Sequence, residues 1–214
     1  MNGQGAAKLY ALQQGAALLE WLDGPSLADV SRNGKDNEAN ARLVQTACRL
    51  HAKPATATGD MPKLTDWFAA LRDIQPSNAP QTQMNIARSQ DLAAERLSHQ
   101  TDIRPLHGDL HHDNIKGSPR GDLALDAKGI VGDRAYELAN GFLNPIGAKA
   151  VVRDTNRIKH LAQSWGQAFE IKANILLDWA CAHAALSAAW HIRDGSDADM
   201  TMLNLLWKVR DGLE

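Results

Sequence analysis

The chain has 214 residues, 44% of them apolar, and a formal net charge of −2 at pH 7 with both signs interspersed. That length makes one large domain, or one domain plus a small appendage, and buries roughly 70% of the surface its unfolded chain exposes; without a basic run it has no general affinity for nucleic acid or an anionic membrane. Two distant cysteines, Cys48 and Cys181, argue against a disulfide framework, and no segment reads as a signal peptide or a membrane span, so a cytoplasmic location is expected.

Taken in order, Ala6 to Leu12 and Ala16 to Leu22 read as two short strands joined by a Gln13-Gln14-Gly15 turn, with Leu18 and Leu19 buried in an edge hairpin. Gly3-Gln4-Gly5 and Lys8 are weak as a phosphate-binding pattern, and Lys8 is expected to face solvent. Leu43, Val44, Ala47 and Leu50 recur at helical spacing and predict a core-facing helix over Asn37 to His51, with Asp36 or Asn37 as its cap. A loop follows from Lys53 through Pro62. Leu64 to Leu71 predicts one short helix with Trp67 and Phe68 filling core. A loop over Gln75 to Gln81 then leads to a helix carrying Ile86, Leu92, Ala93 and Leu97.

The chemistry concentrates in Leu106-His107-Gly108-Asp109-Leu110-His111-His112-Asp113-Asn114-Ile115. Arg104-Pro105-Leu106 enters this stretch in extended form, as the residue before proline prefers. Asp109 precedes Asn114 by five positions, and Asp126 closes the strand expected over Asp122 to Asp126. That D-x-x-x-x-N step, with a carboxylate on the next strand, is the spacing of a phosphoryl-transfer site. Asp109 would orient an attacking hydroxyl and take its proton, while Asn114 and Asp126 would offer hard oxygen ligands to magnesium. Lys116 is expected to be solvated. A rival reading gathers His107, His111 and His112 with Asp109 and Asp113 into a transition-metal cluster for metal-dependent hydrolysis. Asp133 also fits an ordinary N-cap for the helix beginning at Ala135.

After Pro145 the pattern is helical. Asp154 to Phe169, Ile171 to Ile192 and Asp199 to Gly212 are predicted helices. The second carries Ile171, Ile175, Trp179, His183, Leu186 and Trp190 on one stripe, with His183 as a core histidine. The acidic turn from Arg193 to Asp199 is expected in solvent, or lining the site of a cationic acceptor.

With Leu123-Ala124-Leu125-Asp126-Ala127-Lys128-Gly129-Ile130-Val131-Gly132-Asp133, Ala135-Tyr136-Glu137-Leu138-Ala139-Asn140 and Asn144-Pro145, the sequence resembles the aminoglycoside phosphotransferase superfamily, in its streptomycin 6-kinase and hydroxyurea phosphotransferase branch. The resemblance implies an α+β, protein-kinase-like fold. Residues 1–24 would be a hairpin remnant of the small nucleotide-binding lobe, and residues 25–214 a mostly helical lobe with the catalytic loop at 106–133. It implies Asp109 as catalytic base, Asn114 and Asp126 as magnesium ligands, and His107 and Asp133 as supports of the loop. Backbone groups of Glu20, Trp21 and Leu22 would receive the adenine of ATP. The implied function is transfer of the ATP γ-phosphate to an alcohol of a small molecule, streptomycin or hydroxyurea. Because the family's glycine-rich loop and phosphate lysine are scarcely represented ahead of the hinge, the alternative is a truncated chain that keeps the fold and turns nucleotide over poorly.

Overall fold

The computed structural model describes residues 4–53, 55, 59–74, 79–196 and 198–213. Gly3, parts of the two loops expected after Lys53 and Gln75, and Asp197 of the acidic turn lie outside them. Strands β1 (Leu9–Gln13) and β2 (Ala16–Leu19) pair antiparallel. Gln14 (φ 48°) and Gly15 (φ 79°) make the tight turn between them, which matches the twist of paired strands. Both strands are shorter than expected. Ala6 bridges to Ala124 instead, Ala7 N–H donates to Ala124 O at 2.8 Å, and Leu22 turns inward against Ala7 and Leu123. The expected burial of Leu18 and Leu19 is not found, since they are 62% and 40% exposed and every residue of both strands faces solvent.

The helical body begins with α1 (Leu27–Arg32), whose cap Ser26 and third residue Asp29 exchange hydrogen bonds in a capping box. Helix α2 (Asp36–Leu50) runs close to its expected bounds, but neither Asp36 nor Asn37 caps it. The Asp36 carboxylate is taken by Arg157 at 2.7 Å and Ser31 at 2.6 Å. The single helix expected over 64–71 is two, α3 (Leu64–Trp67) and α4 (Ala69–Arg72). Phe68 sits at their junction with its ring against Tyr136 and Trp179. Trp67 packs edge-on against Trp190 at 5.3 Å. Helix α5 (Pro80–Ser98) starts on a proline whose missing N–H no helix needs at that position.

Four short strands then frame the site. β3 (Ile103–Leu106) pairs antiparallel with β6 (Ile130–Asp133), and between them β4 (Ile115–Lys116) pairs with β5 (Leu123–Ala124). The strand expected to reach Asp126 ends at Ala124. Helices α6 (Lys149–Val152), α7 (Thr155–Phe169, capped by Asp154), α8 (Ala173–Arg193) and α9 (Thr201–Asp211) complete the fold. Ile171 precedes α8. That helix has no single apolar stripe, because α4, α5, α7 and α9 surround it and even Asp178 and His183 are buried. His183 Nδ1 and Tyr136 Oη share a hydrogen bond of 2.7 Å, the satisfied core histidine expected. The architecture is α+β. Among the described residues no helix is long and apolar enough to cross a membrane.

Candidate active site

The loop between β3 and β4 is held from behind by a carboxylate. Glu137, fully out of solvent, accepts the backbone N–H of His107 at 2.9 Å and of Gly108 at 3.1 Å, and lies 2.7 Å from His51 Nε2. Burial opposes its ionisation, yet the hydrogen bond and charge of His51, with His107, hold its pKa below the usual carboxylate range. Gly108 has φ 81°, and a side chain there would meet Ile130 Cγ1 at 3.0 Å, so the turn into Asp109 requires glycine. His107 supports the loop from within, with Nε2 2.8 Å from Leu125 O and Nδ1 3.3 Å from the Asp109 N–H.

Asp109 therefore emerges on a braced backbone. Its Oδ1 accepts from Asn140 Nδ2 at 2.7 Å, and its Oδ2 lies 3.3 Å from Asn114 Nδ2. Asn114 Nδ2 also donates to Asp109 O at 3.0 Å, which closes the loop on itself. Asp126 lies beyond β5 with φ 61°, an unusual conformation for a residue with a side chain, and its carboxylate is 62% exposed. Lys128 Nζ joins the two acids, 2.9 Å from Asp126 Oδ2 and 3.6 Å from Asp109 Oδ2. The Asp126 hydrogen bond raises the Lys128 pKa and keeps the ammonium charged.

The three histidines diverge instead of clustering. His107 turns to Leu125, while His112 Nε2 lies 2.8 Å from Asn40 Oδ1. Burial, with the Arg157 charge nearby, pushes the His112 pKa down to about 3. His111 lies between Asp109 and Asp113, and burial lowers its pKa against their pull. Among the described residues no group of three or more His, Cys, Asp or Glu side chains is placed to share a metal ion, which removes the geometric basis of the hydrolase reading. Asp133 is the N-cap of the 3-10 turn Arg134–Leu138, accepting from Ala135 N, and its other oxygen accepts from Thr101 N.

At the other side of the site, Glu20 N–H donates to Lys8 O at 2.8 Å and the Glu20 carboxylate takes Arg120 and the Lys8 N–H. Lys8 itself is exposed, as expected. Trp21 is 85% exposed, whereas Leu22 is buried. The chain then approaches the turn between β4 and β5 so closely that a side chain at Gly24 would come within 2.4 Å of Gly117 O. Lys116 Nζ is 5.7 Å from the Trp21 ring and the residue is half-buried, so it is not fully solvated.

Glu137, Asn140 and Lys128 were not singled out by spacing. Glu137 and Asn140 lie in the motif quoted for the family resemblance, but their partners sit about thirty residues upstream. A cavity of about 260 Å³ opens beside Leu143, Pro145 and Ile146 and is closed by α8, α9 and Asp199. Asp199 is ion-paired with Arg153 and lies 3.9 Å from Lys149, so this part of the acidic turn is engaged.

The family model described as aminoglycoside/hydroxyurea antibiotic resistance kinase matches residues 1–195. The chain is similar to streptomycin 3''-kinase of Klebsiella pneumoniae, at 36% identity over 203 residues, 91% of this chain and 73% of the relative. It is also similar to streptomycin 6-kinase of Streptomyces griseus, at 28% identity, 92% of this chain and 66% of the relative. Aminoglycoside phosphotransferase APH(4)-Ia, solved as a thermostable mutant in ternary complex with ADP and hygromycin B, shares the fold with a TM-score of 0.62 and 13% identity, covering 98% of this chain and 78% of that one. The fold is thus kinase-like, and by its match over nearly the whole sequence the chain belongs to the aminoglycoside/hydroxyurea antibiotic resistance kinase family.

Proposed function

We propose that this chain transfers the γ-phosphoryl group of ATP to a hydroxyl of an aminoglycoside, with streptomycin the first acceptor to test and hydroxyurea the second. The observation that carries the reading is the contact of Asn114 with the Asp109 carboxylate, with the Lys128 ammonium lying between Asp109 and Asp126. Asp109 is the base: Asn140 and Asn114 orient its carboxylate, which receives the proton of the acceptor hydroxyl. The family membership supports the reaction class, and the streptomycin kinases among its relatives support the acceptor.

The side chains fit magnesium. Asn114 commits Nδ2 to Asp109 and so leaves Oδ1 for a cation, and Asp126 presents an accessible carboxylate. Both are oxygen donors of the kind magnesium accepts. Bound there, the metal neutralises phosphate charge. Adenine would use the backbone of Trp21 and Leu22, since the Glu20 N–H is already spent on Lys8.

A second reading, weak nucleotide binding without useful turnover, is favoured by one observation: Leu12, Leu18 and Trp21 of the hairpin region are 70%, 62% and 85% exposed. Calorimetric titration with ATP and magnesium, beside Asp126→Ala, separates the two when followed by incubation with streptomycin. Saturable binding that weakens in the variant, with streptomycin gaining the mass of one phosphate, supports the kinase. Binding without mass gain in either acceptor supports the second reading, and binding unaffected by Asp126→Ala contradicts the proposed metal site.

A further inference from the structure

Lys128 reaches both acids of the site from a fixed base. Its backbone N–H donates to His107 O at 2.8 Å, and the next amide, of Gly129, points at the same oxygen at 3.3 Å. Its side chain is 40% exposed on a flexible four-carbon stem, so the ammonium can change partners while the backbone stays in place. Two carboxylates facing one space repel each other, and a positive charge between them relieves that cost. A divalent cation on Asp126 would compete for the same oxygen. An incoming polyphosphate, rich in acceptors, is the natural next partner for the displaced ammonium.

We propose that Lys128 is an exchangeable counter-ion. In the metal-free site its ammonium neutralises Asp126 and Asp109; it gives up Asp126 to a divalent cation and turns to the phosphates of the nucleotide. The inference rests on the phosphotransferase reading. It also makes Lys128 a phosphate-contacting cation delivered from the catalytic-loop side of the site.

The test is Mn²⁺ binding to the full chain without nucleotide, followed by electron paramagnetic resonance for the unaltered protein, Lys128→Met, Lys128→Arg and Asp126→Ala. Lys128→Met should bind Mn²⁺ about threefold to tenfold more tightly, because a competitor is gone. Lys128→Arg, which keeps the charge, should stay near the unaltered protein. The same Lys128→Met protein should bind ATP with magnesium more weakly by calorimetry. Unchanged or weaker Mn²⁺ binding in Lys128→Met, or unchanged ATP affinity, overturns the counter-ion. Equal Mn²⁺ binding by the unaltered protein and Asp126→Ala instead removes the metal site, and with it the phosphotransferase reading on which the inference stands. Circular dichroism of each variant checks that the fold is kept.

Discussion

Asn140 Nδ2 donates to Asp109 Oδ1 across 2.7 Å, so the carboxylate that leaves the loop between β3 and β4 is aimed by the segment following β6. Asn140 is itself held, since Asn144 Nδ2 donates to its carbonyl at 2.9 Å and to Oδ1 at 3.0 Å. The Asp109 carboxylate is thus oriented from outside its own loop. Removing that amide leaves the carboxylate in place but held only through Oδ2, by Asn114 and Lys128.

Asn140→Ala should therefore lower kcat by roughly tenfold to a hundredfold, the cost of a slightly misplaced catalytic group, with little change in the affinity for ATP and magnesium. Steady-state phosphorylation of streptomycin, with calorimetry for the nucleotide, measures both. A kcat equal to that of the unaltered protein would show that Asn140 does not orient the base.

Asp109→Asn keeps the size of the side chain and abolishes its basicity. If Asp109 takes the hydroxyl proton, kcat should fall by about 10²- to 10⁴-fold while nucleotide binding persists. A parallel loss of ATP binding would reassign Asp109 to a metal or nucleotide role.

Glu137 carries a stability prediction. Its charge is buried and meets two backbone amides and His51, so Glu137→Ala leaves those donors unpaired and should cost about 3–5 kcal/mol of unfolding free energy. Urea denaturation reads the loss. Hydrogen exchange at the amides of His107 and Gly108 should accelerate with it, and unchanged exchange would mean that the loop is braced elsewhere.

Two buried histidines set a pH dependence. Burial lowers the pKa of His112 to about 3 and of His183 to about 4, from an ordinary value of 6.5. The unfolded chain takes up these protons at the higher value, so the stabilisation is complete above about pH 6.5 and is lost as pH falls toward the folded values. Between pH 7 and pH 5 each should cost about 2 kcal/mol, a window above the ordinary carboxylate range. His183→Gln should flatten the decline in urea midpoint over this window, and an unaltered slope would show that His183 does not contribute to it.

Local spacing in the chain was enough for the helices α2, α5, α7 and α9, because residues three and four apart share a face whatever they pack against. It was enough also to bring Asp109 and Asn114 into one loop, five positions apart with Gly108 to allow the turn. Periodicity failed where surroundings decide burial: the β1 and β2 hairpin has an apolar sequence but stands in solvent, and α8 lies among four other helices and needs no polar face. Spacing also overstated the strand before Asp126, since β5 ends where its partner β4 does, after two residues. Glu137 with His51, Asn140 with Asp109, and the Asp36 carboxylate with Arg157 join positions 86, 31 and 121 residues apart. Such pairs form only when packed elements bring the two groups within hydrogen-bond reach, and no periodicity along the chain encodes that distance. The sequence by itself determined the residue types and their order in the candidate loop; the tertiary structure decided which charges face them, because burial and long-range packing choose the partner of each polar group.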